Sequence, residues 1–318
     1  MPIAELGRQM LAAQLAIMQT YLPILQQGPE VTPALRADAA FVVEGPALSE
    51  VEGAVHESRK AIRRTYTAVR IFRPYFEPGL LDGYRRRLRK LMERLAPCRD
   101  TAVFLDKLQL FAVASGAELA ELIAYWQVQK TAVDANLQQY LGREKWAVFW
   151  PQYAEFTSTT GRGALALPPL APVKARHLIP GLLYERVAGV RAFDEYGHCG
   201  RLPSDHLTAA DIHQMHQIRI QCKELRYAFE FFSPLLGPEI EPVIVVLEQL
   251  QDNLGALNDA RVALEMLAHT PGRETAVTRY RQEKQAEIDR LLAEFPPLWE
   301  ALNGFEWRRN LALALAVL

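Results

Sequence analysis

One stretch of this chain is written twice. The segment "VHESRKAIRRTYTAVRIFRPYF" (residues 55–76) aligns with "MHQIRIQCKELRYAFEFFSPLL" (215–236) at an offset of 160. The alignment superposes His56 on His216, Arg59 on Arg219, Arg63 on Lys223, Ala68 on Ala228, Phe72 on Phe232 and Pro74 on Pro234. Downstream, "LAPCRDTAVFLDKL" matches "LGALNDARVALEML" at an offset of 159, pairing Leu95 with Leu254 and Asp100 with Asp259, so one slipped loop residue accounts for the change. A repeat of this kind constrains the fold before any other feature does. It predicts two homologous halves, 1–160 and 161–318, related by an approximate two-fold axis and together forming one domain.

Both copies carry the helical period. Apolar positions recur at i, i+3 and i+4 in 3–25, 48–73, 79–96, 100–114, 116–141, 172–195, 208–233, 239–254, 257–268 and 273–294, with Pro and Gly at the breaks. No segment alternates with period two for long enough to demand a sheet, so the expected class is all-α. The stretches 28–47 and 157–172, rich in Pro, Gly and Thr, read as connections, the second being the better boundary between halves.

The helical wheel gives the charge a direction. At 100° per residue His56, Arg59, Arg63 and Arg70 fall on one stripe, with Lys60 and Arg64 at its edge, while Val55, Ile62, Thr65, Val69 and Phe72 collect opposite. The second copy places His216, Arg219, Lys223 and Arg226 on one stripe, backed by Ile218, Cys222, Leu225, Phe229 and Phe232. Net charge conceals this asymmetry. The whole chain carries −1, yet residues 55–99 hold thirteen Lys or Arg against four acids, a local +9. A localised positive field in an otherwise acidic molecule attracts an anion and discourages indiscriminate adhesion to nucleic acid.

Half of the residues are hydrophobic, ample for a real core, but no run of about 18 uncharged apolar residues is present. The first 22 residues lack the order of a signal peptide, and the tail "LALALAVL", too short to span a bilayer, reads as a terminal helix docked on the body. Three cysteines, Cys98, Cys199 and Cys222, are few, odd in number and without CxxC spacing; neither a disulfide framework nor a zinc site is suggested. A cytoplasmic location fits these features.

The combination of "VHESRKAIRRTYTAVRIFRPYF", "LAPCRD", "MHQIRIQCKELRYAFEFFSPLLG" and "LQDNLGALNDARVALEML" resembles the CHAD family, the conserved histidine α-helical domain. The resemblance implies two pseudo-symmetric four-helix bundles with a basic surface or cavity between them. It also implies binding of inorganic polyphosphate, in some members at polyphosphate granules. Departures from the family pattern lie at Thr65 and Tyr66, where Leu-Arg is common, at Glu224, where a second base often follows Lys223, and at Ala102, where an acid is often seen. The ExExK signature of the triphosphate-processing domain sometimes fused to this family is absent.

The residues independently ask for a linear polyanion. Cations at i, i+3 or i+4, i+7 sit roughly 5–6 Å apart on one face, comparable with phosphate spacing in a chain, and Arg offers a two-pronged donor. Two such stripes facing each other would make a channel. The expected contacts are His56, Arg59, Lys60, Arg63, Arg64, Arg70, Arg99, His216, Arg219, Lys223 and Arg226. In the run "YRRRLRK" (84–90), Arg85 and Arg89 flank the apolar edge and join them, whereas Arg86, Lys90 and Arg94 point elsewhere. For the histidines, orienting an Arg, contacting phosphate and ligating metal all stay open, although no HExxH or comparable set completes a coordination sphere. Asp100 and Asp259 read as helix-start carboxylates beside Arg99 and Asn258, with a magnesium ligand as the sharper alternative. No nucleophile or Gly-rich phosphate loop assembles a catalytic site, so a binding protein without cofactor is expected. The alternative function is a scaffold whose basic groove takes an acidic or phosphorylated partner or a nucleotide. Removing Arg59 and Arg63, or Arg219 and Lys223, is expected to weaken binding before it harms the fold.

Overall fold

The computed structural model describes residues 1–27, 50–165, 174–194, 207–268, 270 and 274–318. Ten α-helices account for most of them: α1 (Ile3–Gln27), α2 (Glu50–Phe72), α3 (Leu80–Ser115), α4 (Ala120–Leu141), α5 (Glu144–Ser158), α6 (Ala175–Arg191), α7 (Ala209–Phe232), α8 (Ile240–Ala268), α9 (Glu274–Asn303) and α10 (Phe305–Leu315). No strand occurs among the described residues beyond two isolated bridges, Pro2 to Lys174 and Phe76 to Ala164. The class is all-α. The expected connection at 28–47, most of the one at 157–172, and Cys199 lie outside the described residues.

Local chemistry explains the ends of the repeated helices. α2 opens on Glu50 and Glu52 and closes on Arg70, the charge order that the helix dipole favours. Thr208 caps α7 in a reciprocal capping box with Asp211. Each of these helices then stops in a 3₁₀ turn holding a proline, Arg73–Tyr75 after α2 and Ser233–Leu235 after α7. Proline has no N–H to continue the ladder and biases the residue before it out of the helical region.

Two segments read as separate helix pairs are single helices. α3 runs through Pro97 and α8 through Gly255, so 79–96 with 100–114, and 239–254 with 257–268, are continuous. At Pro97 the helix survives because packing outweighs one lost hydrogen bond, with Leu91, Leu95, Cys98, Thr101, Ala102 and Leu105 all buried around it. Asp100 and Asp259 are therefore mid-helix residues and cap nothing, which overturns the helix-start reading. The periodic segments omit α5, which carries Pro151 inside it; its Trp146, Phe149, Trp150, Tyr153 and Phe156 nevertheless share one buried face at helical spacing, with Lys145, Val148, Gln152 and Glu155 exposed opposite.

The chain forms two compact units. The first comprises Gly7–Val69 and Phe76–Ala164. In it α3 packs on α4, and Tyr84 stacks on Tyr153 and Phe156. Arg8, only 1% exposed, lies over the rings of Phe76 and Phe156 and donates to the carbonyls of Phe156 (2.8 Å) and Arg162 (2.8 Å). Those carbonyls and ring faces help to satisfy a buried charge. Nearby, Gly163 takes φ +65° with Leu80 Cδ2 2.2 Å from where a Cβ would stand, so a side chain there would strain the backbone and displace Leu80.

The second unit comprises Met1–Leu6, Arg70–Tyr75 and Leu165–Leu318. Here α7 packs between α6 and α8, α8 lies along α9, and α10 closes on both α8 and α9. Trp307 donates to the Val243 carbonyl (3.1 Å) and meets Phe229 edge-on, seating the tail helix on the body as expected. Phe72 and Phe232 meet edge to face at 6.2 Å. The faces opposite the two cationic stripes are buried at every expected position, from Val55 to Phe72 and from Ile218 to Phe232.

Candidate functional site

In the first unit α2 and α3 bring cations together from distant parts of the sequence. Arg99 on α3 acts electrostatically on both His56 and Arg59, and Arg63 acts on both of these and on Tyr66. Arg85 and Arg89, from the α3 run, reach the Tyr66 hydroxyl as well. The cluster therefore contains His56, Arg59, Lys60, Arg63, Arg85, Arg89 and Arg99, and it adds Tyr66, which the wheel did not select.

These cations are not equally available. Arg59 is spent on the scaffold: its guanidinium donates to the carbonyls of Leu95 (3.3 Å) and Ala96 (2.9 Å), just before Pro97, and reaches Asp100 at 3.4 Å. Its side chain is only 11% exposed, and burial together with the Arg63 charge brings its pKa down to about 10, still cationic at neutral pH. Lys60 faces Glu57 at 3.8 Å and Arg89 faces Glu93 at 3.7 Å, both loose pairs in solvent. Arg63, Arg85 and Arg99 form no ion pair among the described residues, although the Arg99 charge acts on Asp106. Arg99 Nη1 and the Tyr66 hydroxyl are buried without a hydrogen-bond partner. Burial raises the Tyr66 pKa, so the phenol keeps its proton as a donor. Arg64 is partly buried at the stripe's edge, with Nε enclosed.

His56 is exposed at the head of this cluster. Burial of the ring and the Arg99 charge push its pKa below 6.5, Glu57 opposes, and Lys60 and Arg63 add to the lowering. Empty, the imidazole is neutral at pH 7.

Arg70, which the wheel aligns with His56, Arg59 and Arg63, belongs to the second unit, where it is ion-paired with Glu224 of α7. Arg186 of α6 lies within the field of that pair, and burial with the nearby Arg70 charge lowers its pKa. Further along α7, Arg226 is fully committed: it donates to Gln251 (3.0 Å), Glu230 (2.6 Å) and Glu248 (3.2 Å). Gln251 in turn donates to the Cys222 carbonyl (3.0 Å), locking the arrangement on α8. Lys223 is half-buried. His216 Nδ1 and Arg219 approach at 3.5 Å, and burial and the Arg219 charge push this imidazole down too, with a bond to Asn258 opposing.

Cys98 and Cys222 are free and buried, their thiols pushed up to about 12 chiefly by burial. They are inert packing residues. Among the described residues no group of three His, Cys, Asp or Glu side chains could hold a metal, and no helix is long and apolar enough to cross a membrane.

The CHAD domain family model matches residues 34–268, and the chain belongs to that family. Of solved structures, it is similar to PptA from Streptomyces chartreusis, with a TM-score of 0.65 and 18% identity over 94% of this chain and all of that one. It is also similar to the CHAD domain from the plant Ricinus communis, with a TM-score of 0.60 and 20% identity over the whole of this chain and 92% of that one. No curated protein matches it. Polyphosphate binding is a general property of the family, whose members are typically non-catalytic.

Proposed function

We propose that this protein binds inorganic polyphosphate without turning it over, and that the α2–α3 cluster of the first unit is the principal contact. One observation carries the reading: Arg63, Arg85 and Arg99 form no ion pair among the described residues and gather with Arg89 around His56 and Tyr66. Tyr66 Oη and Arg99 Nη1 are buried there without a hydrogen-bond partner, with Glu57 acting on His56, Glu93 on Tyr66 and Asp106 on Arg99. Crowded cations repel one another and buried donors cost free energy when left unmatched, so the arrangement is completed by an acceptor of several negative charges. A phosphate chain supplies one at each step along the stripe, and Arg side chains grip its oxygens in pairs. His56, Arg59, Lys60, Arg64 and Arg89 frame this contact. Arg70, His216, Arg219, Lys223 and Arg226 contribute less, because carboxylates already neutralise Arg70 and Arg226. Such a protein works in the cytoplasm, at or near polyphosphate granules.

The test is a titration of labelled long-chain polyphosphate followed by fluorescence anisotropy, with short oligophosphate, ATP and single-stranded DNA as competitors at several salt concentrations. Long-chain polyphosphate is expected to bind most tightly, with affinity falling steeply as salt rises. Equal or tighter binding of DNA defeats the reading.

A further inference from the structure

Behind the His216 stripe the second unit holds a two-part cavity whose apolar part polyphosphate binding does not use. A mainly apolar pocket of about 180 Å³ lies among α7, α8 and α9, lined by Met215, Leu257, Leu264, Ile288 and Leu292, with exposed Gln285 at one edge. Its mouth is formed by His216, Arg219, Asn258 and Arg261. There it meets an outer vestibule of about 330 Å³ to which His213, His216, Asn258, Arg261 and Glu265 contribute. Space therefore passes from a polar, partly cationic entrance into an apolar interior within one unit.

An inorganic phosphate chain has no group that gains from such a mainly apolar lining, whereas a hydrocarbon does. A cavity of ~150 Å³ takes a six-carbon ring, so this one accommodates about six to eight carbons. We infer that the second unit binds a medium-chain carboxylate, with the hydrocarbon in the apolar pocket and the carboxylate at the mouth. Arg219 and Arg261 supply charge-assisted donors to that head, and Asn258 and His216 add neutral ones. Glu265 pairs loosely with Arg261 at 3.5 Å on the outer side, a partly exposed pair that a bound carboxylate replaces. A few directed polar groups around an apolar interior are the usual anatomy of a small-molecule site.

The experiment is a titration of the full-length chain, labelled with ¹³C-methyl methionine, with octanoate, 1-octanol and inorganic phosphate up to about 5 mM. The Met215 resonance is assigned through Met215→Leu. Octanoate is expected to shift it saturably, 1-octanol to bind at least about tenfold more weakly, and phosphate to leave it unmoved. Leu264→Trp, which fills the chamber from a half-exposed wall position, abolishes the octanoate response while polyphosphate binding stays at the wild-type level. Ile288→Phe repeats that test independently should the first variant prove unstable. Arg261→Gln, at the half-buried mouth, weakens octanoate about tenfold. The inference is overturned by no saturable shift, by equal binding of octanol and octanoate, or by octanoate binding that survives a folded chamber-filling variant.

Discussion

The stretch 55–99 and its counterpart 215–258 share one helical framework and opposite electrostatics. The first carries +9; the second holds Arg219, Lys223 and Arg226 against Glu224, Glu230, Glu239, Glu241, Glu248 and Asp252, a local −3. Buried positions keep step at the 159 offset: Leu81 with Ile240, Leu88 with Leu247, Leu91 with Leu250, Leu95 with Leu254. The outward positions have exchanged partners. Where Tyr66 faces Arg89, their counterparts Arg226 and Glu248 form an ion pair, and where Arg99 acts on His56, its counterpart Asn258 bonds His216. Packing fixes the inner face of a helix, whereas the solvent face is free to diverge in charge as long as each charge is solvated or paired.

The sharpest way to break this comparison is to strip each stripe in turn. Arg63, Arg85 and Arg99 changed together to Gln should weaken polyphosphate by at least about 100-fold in the anisotropy assay, since each charged hydrogen bond is worth about 1.5–3 kcal/mol. The matching change of Arg219, Lys223 and Arg226 to Gln should cost less than about tenfold. Equal losses would mean that both halves bind alike.

Stability separates Arg59 from its neighbours. Arg59→Ala removes one charged donor from the Asp100 carboxylate and from two carbonyls beside Pro97, a loss of about 2 kcal/mol and roughly 5 °C in thermal midpoint by calorimetry. Arg63→Ala should leave the midpoint unchanged or raise it, as relief of like-charge crowding requires. The expectation that Arg59 and Arg63 behave as a pair is thereby split: one holds helix α3 and the other awaits an anion.

Salt dependence gives a smaller, quantitative effect. Each cation lost from the first cluster should reduce the slope of log K against log salt by about 0.7, the single-strand value per neutralised phosphate. Loss of Arg226, already neutralised by Glu230 and Glu248, should leave the slope unchanged.

The smallest effect is in pH. His56 titrates below 6.5 when empty because of burial and the Arg99 charge, with Lys60 and Arg63 adding to it and Glu57 opposing. A bound polyanion raises that value, so binding takes up a proton and tightens as pH falls from about 8 to 6, by less than about tenfold. His56→Gln should flatten the profile, and His216→Gln should barely alter it. A profile that follows His216 instead would assign the polyphosphate contact to the second unit.

Much of this was legible in the chain itself. Period 3.6 marked the helices and the buried faces of α2 and α7, and the repeat marked His56 with His216. Three things were hidden. Pro97 and Gly255 look like breaks, yet both sit inside long helices because the buried apolar residues flanking them, Leu95 and Cys98 in one and Leu254 and Leu257 in the other, hold each helix on its neighbours. Tyr66 looks like a lost base, and only α3 packing reveals its hydroxyl among Arg63, Arg85 and Arg89. A signal for it did exist, since the offset of 160 pairs it with Arg226.

What the sequence determined alone is the class of fold and the side of each helix that faces inward, because both follow from hydrophobic spacing along a local period. Which cations remain available to a ligand was decided by tertiary structure. Arg59 meets Asp100 across 41 residues, Arg226 meets Glu248 across 22, and Arg70 meets Glu224 across 154. Charges act through space at a few ångströms, and no local pattern records which carboxylate will arrive there.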